Sequence, residues 1–404
     1  MSSTDIEIDA THARNRLRTI AILSASSLTL LALGAVAPSL PAIERAYADI
    51  PDSALLTRMV LTVTALFMAL SAPLSGFLVD RMGRKIVLVS AIILYLLSGT
   101  AGIWLTGLTE LLVSRAVLGI ASGMILTAVT TLIGDYYQGA HRNRMAGAQI
   151  SVMVLAVAGG TTIAGFLADT DWRLPFYLYL TALIVLPLVI FGIAEPVRAV
   201  SNEARRGLLA PGNRFPVLRV AMIYLLIFVS MTSTFLIPSQ MPFLLPEIGV
   251  PAAAIAGIAI AVFNVIAAIT AMLFRRLRDR FDNNTILAAT YLLLGVGMLL
   301  AATAEGAPQA MLGMLLAGIG FGMMMPTFNG WLLSIAPLHM RGRFVGGLTF
   351  FQFLGTFASP LYSQPIADRI EVTGAFAVTG LGQIALGLVF VGGAVTALFL
   401  ARMR

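Results

Sequence analysis

Cysteine is absent from the 404 residues, lysine occurs once, histidine three times, and charged residues make up only 11% of the chain. Without cysteine, neither a disulfide framework nor a thiolate metal site can form. The single lysine, Lys85, is not preceded by glycine, so the chain holds no G-x-x-x-x-G-K-[ST] phosphate loop and no ATP-driven pump of that kind. His12, His141 and His339 all fall in polar segments, and no long apolar run carries a carboxylate near its centre. A membrane-embedded enzyme would want such groups clustered at depth, so catalysis is not expected. No cofactor and no metal are expected either.

What the chain has is apolar length. Hydrophobic residues reach 58% and the mean hydropathy is +0.92, values of a polytopic membrane protein rather than a soluble one. Twelve runs are each long enough to cross a bilayer: 19–43, 54–79, 86–106, 108–135, 145–168, 174–194, 217–243, 252–274, 285–304, 309–335, 344–367 and 375–401. They are numbered here as spans 1 to 12. The formal net charge of +7 could suggest nucleic acid, but the arginines sit in short loops between spans, as topology-setting charges do, and no nucleic-acid partner is expected. With the amino terminus placed in the cytoplasm, 21 of the 26 Lys and Arg lie on that side. Arg45, Arg173 and Arg369 lie opposite, and Arg58 and Arg115 lie inside spans. Both termini are therefore expected inside. Span 1 follows Arg14, Arg16 and Arg18 and leads into further spans, so it reads as an anchor and not a cleaved leader.

The longest polar loop, 195–216, divides the chain into a tail (1–18), a first six-helix bundle (19–194), the cytoplasmic loop itself, and a second bundle (217–404). An internal repeat supports this division. At a constant offset of 199, Asp80-Arg81 falls on Asp279-Arg280, Gly119 on Gly318, Gly123 on Gly322, Arg142 on Arg341, Gly147 on Gly346 and Ala168-Asp169 on Ala367-Asp368. An even number of spans per half means that the halves enter the membrane in the same direction.

Between spans 2 and 3 lies Gly76-Phe77-Leu78-Val79-Asp80-Arg81-Met82-Gly83-Arg84-Lys85. Asp80 sits at a helix carboxyl end, where the dipole disfavours an anion, so it needs a partner. The free N–H groups at the start of span 11, near Arg343-Phe344, would serve. Arg81 is expected to pair with Asp135, Gly76 to let span 2 pack closely, and Gly83 to make the tight turn. The bland alternative is a topogenic cluster, for which Arg84 and Lys85 alone would suffice. The pattern G-x-x-x-D-R-x-G-R-K resembles the signature loop of the major facilitator superfamily of secondary transporters. That resemblance implies an all-α membrane protein of twelve helices in two parallel six-helix repeats, with a latch at Asp80 that holds the outward-open state. In the second half the motif is degenerate, with Arg275, Asp282, Asn283 and Asn284 at the matching positions.

Arg115, inside span 4, is a cation at membrane depth that costs about 3 kcal/mol or more unless paired or facing water. Its repeat mate is Met314. The stretch is similar to the family's span 4 motif, whose Arg the resemblance implicates in proton transfer; Glu44 and Glu110 are the nearby acids that could share in coupling, with Glu44 a partner for Arg115 or Arg58. Snorkelling to the outer face is the plain alternative. In span 5, Gly159-Gly160-Thr161-Thr162-Ile163-Ala164-Gly165 is partly similar to the G-P-x-x-G-G element of family antiporters, and the trailing Asp171-Trp172-Arg173 with Phe176-Tyr177 is usual in the family's drug exporters.

In the family arrangement, spans 1, 4, 7 and 10 line a cavity, with spans 2, 5, 8 and 11 at its sides. Polar atoms there would come from Gln149, Gln240, Asn264, Asn329 and Gln352, and apolar contacts from Met231, Phe235 and Trp331. Thioethers and rings repack around guests of varied shape. The resemblance thus implies a monomeric, proton-coupled exporter of hydrophobic drugs or metabolites in a bacterial inner-membrane setting, whose partners are a small-molecule substrate, protons and the lipid bilayer. An uptake symporter or uncoupled facilitator for a sugar or organic acid is the alternative, and a non-transporting sensor or scaffold is the alternative of another class.

Overall fold

A computed structural model describes residues 3–196, 217–336 and 341–402, with side chains from 15 to 394. The central loop beyond residue 196 therefore lies outside the described residues. Every span expected from hydropathy is helical, and there is no strand among the described residues. Spans 1 to 10 are Asn15–Ala46, Ser53–Met82, Arg84–Ile103, Leu108–Tyr136, Gly139–Ala168, Leu174–Gly192, Val217–Glu247, Ala253–Arg278, Asn283–Ala302 and Ala307–Ile335. An eleventh helix, Arg341–Ala394, has 54 residues, roughly 80 Å of rise against a bilayer core of about 30 Å. It breaks at Ile370 and Glu371, where Glu371 takes φ 67°, and so supplies spans 11 and 12.

Several helices extend past their apolar runs. Span 5 begins at Gly139, so the polar turn through Arg144 is helical and exposed. Span 1 is interrupted by a 3-10 turn at Ala37–Ser39, where Pro38 and then Pro41 cannot donate to the ladder.

The repeat is visible as packing. A Cβ on Gly119 would stand 2.3 Å from the Thr64 carbonyl oxygen, which seats span 4 on span 2. Its repeat mate Gly318 meets the Phe263 carbonyl at 2.7 Å, seating span 10 on span 8. Gly123 against Met68 and Gly322 against Ala267 repeat the relation one helical turn on. The first six spans and the last six meet along two seams. Span 5 packs against span 8, and span 2 against span 11. In the second seam Phe353, with Phe350 beside it, joins Leu33, Ala65, Met68 and Ala69 in one apolar cluster.

Candidate functional site

The knot between spans 2 and 3 is a hub of the first six spans. Span 2 ends at Met82, and Gly83 turns with φ 100°, a conformation that side chains rarely adopt. Span 3 then starts at Arg84 with its N–H groups unpaired within the helix. Glu195, after span 6, accepts from the Arg84 N–H at 2.7 Å and the Lys85 N–H at 2.9 Å. The Lys85 ammonium returns the contact, donating to the Ile190 carbonyl near the end of span 6 at 2.7 Å. The cation on Asp135 is Arg84, whose Nε donates to Oδ2 at 2.9 Å, and not the expected Arg81. The turn at Gly83 starts a new helix, which swings Arg84 toward span 4, while the Arg81 guanidinium lies 5.9 Å from the Phe77 ring. Gly76 also departs from expectation, because nothing lies within 4 Å of a Cβ built on it. Asp80 is exposed, and both it and Phe344 are engaged. Residues 337–340, which lead into span 11, lie outside the described residues.

Arg115 is as deeply buried as expected, at 1% exposure, but its partners are not acids. Nη2 donates to the carbonyls of Ser98 at 2.7 Å and Gly99 at 2.9 Å, and the guanidinium lies 5.0 and 5.2 Å from the Phe176 and Tyr179 ring centroids. Span 3's α-helix ends at Thr100, so these are last-turn carbonyls without helical partners, carrying the negative end of the dipole. The cation therefore plugs a helix end. Glu110 is exposed and turned toward Gly107 at the face opposite the knot. There it acts on Tyr47: burial pushes the Tyr47 phenol up, Arg173 draws it down, and Glu110 pushes it up.

Glu44 pairs with the other buried arginine. Arg58 Nη1 donates to Glu44 Oε2 at 2.6 Å and to the Ala54 carbonyl at 2.7 Å, and its guanidinium lies 3.7 Å from the Phe243 centroid. Arg58 Nε donates to Gln240 Oε1 at 2.9 Å, a contact between the two halves of the chain. Gln240 passes the network on, donating to Ser363 Oγ and Gln364 Oε1, both at 3.2 Å, and Gln364 donates to Asp368 at 2.7 Å. Gln240, expected to face substrate, is thus fully committed at the far face.

The remaining cavity residues divide. Asn264 and Asn329 donate to carbonyls one turn back in their own helices, Ile260 at 2.8 Å and Met325 at 3.0 Å, which leaves their oxygens as acceptors. Gln149 and Met231 are buried, the latter against Gly355 of span 11, and Phe235, Trp331 and Gln352 are half-buried.

Sequence reasoning missed a carboxylate device used repeatedly. Besides Glu195, Glu247 at the end of span 7 accepts from the Val372 and Thr373 N–H groups that open span 12, both at 3.1 Å. Asp282 caps its own span 9 through the Thr285 and Asn284 N–H groups. Burial raises the Asp282 pKa, but bonds from the Thr285 hydroxyl and these amides outweigh it and hold the carboxyl below its ordinary value. Asp169, at the end of span 5, accepts from Ala253 N–H at 2.7 Å and Ala254 N–H at 3.3 Å, the start of span 8 in the other half. An acid at the boundary of a span was the available signal.

A sequence model described as Major Facilitator Superfamily matches residues 22–360. The chain belongs to that superfamily. It is 24% identical over 352 residues to quinolone resistance protein NorA of Staphylococcus aureus, covering 84% of this chain and 87% of that protein. It is 27% identical over 346 residues to the 3-(3-hydroxy-phenyl)propionate transporter of Escherichia coli, covering 82% of each. Among solved structures, a D-xylose-proton symporter superposes with a TM-score of 0.73 at 18% identity, over 93% of this chain and 95% of the other, which shows the shared fold. The superfamily is one of transporters, and this member is a multi-pass membrane protein.

Proposed function

We propose that the protein is a secondary transporter that exports hydrophobic drugs or metabolites in exchange for protons. Two six-helix bundles rock about a central site, and both termini face the cytoplasm. The observation that carries this reading is the distribution of charge. Apart from Arg58 and Arg115, both bonded to protein partners, charged side chains keep to the ends of the spans, so the centre offers amides, hydroxyls, thioethers and rings. Such a lining suits apolar guests of varied shape. The likeness to NorA, a quinolone resistance protein, supports export of such compounds.

A second reading, an uncoupled facilitator or uptake carrier for a small organic acid, is favoured by the same absence of a mid-span carboxylate and by Arg115 bonding carbonyls instead of an acid. The likeness to the hydroxyphenylpropionate transporter is consistent with it. Proteoliposomes holding a pH-sensitive dye decide between the two. With a proton gradient imposed, each added hydrophobic compound should draw proton movement in proportion to its flux. Flux of substrate with no proton movement would sink the exchange reading and leave the facilitator.

A further inference from the structure

The contacts that join the two halves at the outer face include two polar ones, and they are not alike. On the seam between spans 2 and 11, Arg58 reaches across to Gln240 of span 7. On the seam between spans 5 and 8, the Asp169 carboxylate takes both of the first two N–H groups of span 8. The helices come close enough for this because the surrounding residues are small. A Cβ on Gly165 would stand 2.8 Å from the Ala253 carbonyl, and one on Gly257 2.3 Å from the Thr161 carbonyl. Asp169 is exposed at its rim, so water can replace the helix as its partner when the seam parts. Its repeat mate Asp368 accepts instead from Gln364 within its own span. The second half therefore lacks this cross-half carboxylate cap among the described contacts, and Arg58 occupies the equivalent place beside Ala54, the repeat mate of Ala253.

We propose that Asp169 is an outer latch of the transport cycle: its carboxylate holds the start of span 8 while the outer mouth is shut and releases it when the mouth opens. The proposal rests on the alternating-access reading above. An anion on a helix N-terminus adds stability only while the two are in contact, so the bond weights the shut state alone. Asp169 acts on the position of span 8 and not on substrate, which makes it a positioning residue.

The absence of cysteine allows spin labels to be placed in the native background. One cysteine pair, at Asp49 and Glu305, reports the outer face, and a second, at Ala140 and Asp279, reports the cytoplasmic face; all four positions are exposed. Pulsed-EPR distance distributions are compared for the parent, Asp169→Ala, Asp169→Asn, and Asp171→Ala as a neighbouring-carboxylate control, each first checked for a monodisperse folded peak. In Asp169→Ala the ratio of open to shut outer mouths should rise about tenfold, with a reciprocal shortening at the cytoplasmic pair, and Asp169→Asn should fall between. Asp171→Ala should match the parent. An unchanged outer distribution in Asp169→Ala overturns the latch. So does an outer change with no cytoplasmic counterpart, because that would be local fraying, or an equal response in Asp171→Ala. A parent protein that shows one distance at each face under every substrate and pH condition, while still carrying substrate, would instead refute alternating access itself.

Discussion

Replacing Gly257 with alanine should open the transporter outward without touching any polar group. The added methyl carbon would start 2.3 Å from the Thr161 carbonyl oxygen and 3.2 Å from Gly165 Cα, both in the other half. An ordinary carbon–oxygen contact needs about 3.3 Å, so spans 5 and 8 must separate by about 1 Å at that level. Overpacking of this kind costs about 1–3 kcal/mol. The penalty falls on the outer-shut state, where the seam is closed, and is relieved when it parts. The open-to-shut ratio should therefore rise about 5- to 150-fold. A single cysteine at Leu33, which packs with Phe353 in the apolar cluster bridging the halves, reports the change through its reaction with a membrane-impermeant maleimide added outside right-side-out vesicles. Labelling should be markedly faster in Gly257→Ala. Gly159→Ala, on span 5 with nothing within 4 Å of the new methyl, should label at the parental rate. Equal rates in the two variants would refute the argument. So would a Gly257→Ala protein that loses thermal stability without faster labelling, since the wedge would then act on the fold and not on the equilibrium.

Arg115→Met should cost about 2 kcal/mol in thermal unfolding, because two charge-assisted bonds to the end of span 3 are lost while the burial penalty of the cation is relieved. A neutral or stabilising result would refute the plug. Asp282→Ala should cost about 1 kcal/mol and speed amide exchange at the start of span 9. Its carboxyl is held below the ordinary value in the folded state, so the cap's contribution is present at neutral pH and is lost as pH falls through the folded-state pKa; a cap insensitive to acid would contradict this. Glu44→Gln should be milder than Glu44→Leu in thermal unfolding, because the amide still accepts from Arg58, whereas leucine removes the acceptor as well as the charge. Equal losses would mean that the acid's charge, and not the hydrogen bond that an amide can still accept, carries the pair.

The spans were legible because twenty apolar residues in a row have one stable arrangement in lipid, and the repeat was legible in part because glycine at a close helix crossing is costly to replace. Gly119 and Gly318 show both at once. Azimuth was not legible. Arg81 and Arg84 are three residues apart, but the left-handed turn at Gly83 lies between them and resets which way each points, so Asp135 received the second and not the first. Nor could long-range pairing be read. Arg58 stood out as a cation inside a span, yet Gln240 lies 182 residues away and nothing local marks it. Of the acids expected near Arg115, Glu44 pairs with Arg58, the other arginine it was expected to serve, and Glu110 lies exposed, while the fold brings backbone carbonyls to Arg115.

Carbonyl oxygens set against glycine line the seam between spans 5 and 8, and the three atoms nearest a Cβ on Gly257 are all backbone. Interdigitated side chains act as teeth, and each must be withdrawn before two helices can turn past one another. A smooth backbone face is closer to a bearing race. If the halves rock as proposed, they would roll over it in small increments, and a compound shaped to wedge into that narrow notch would jam the machine without ever entering the passage that its cargo uses.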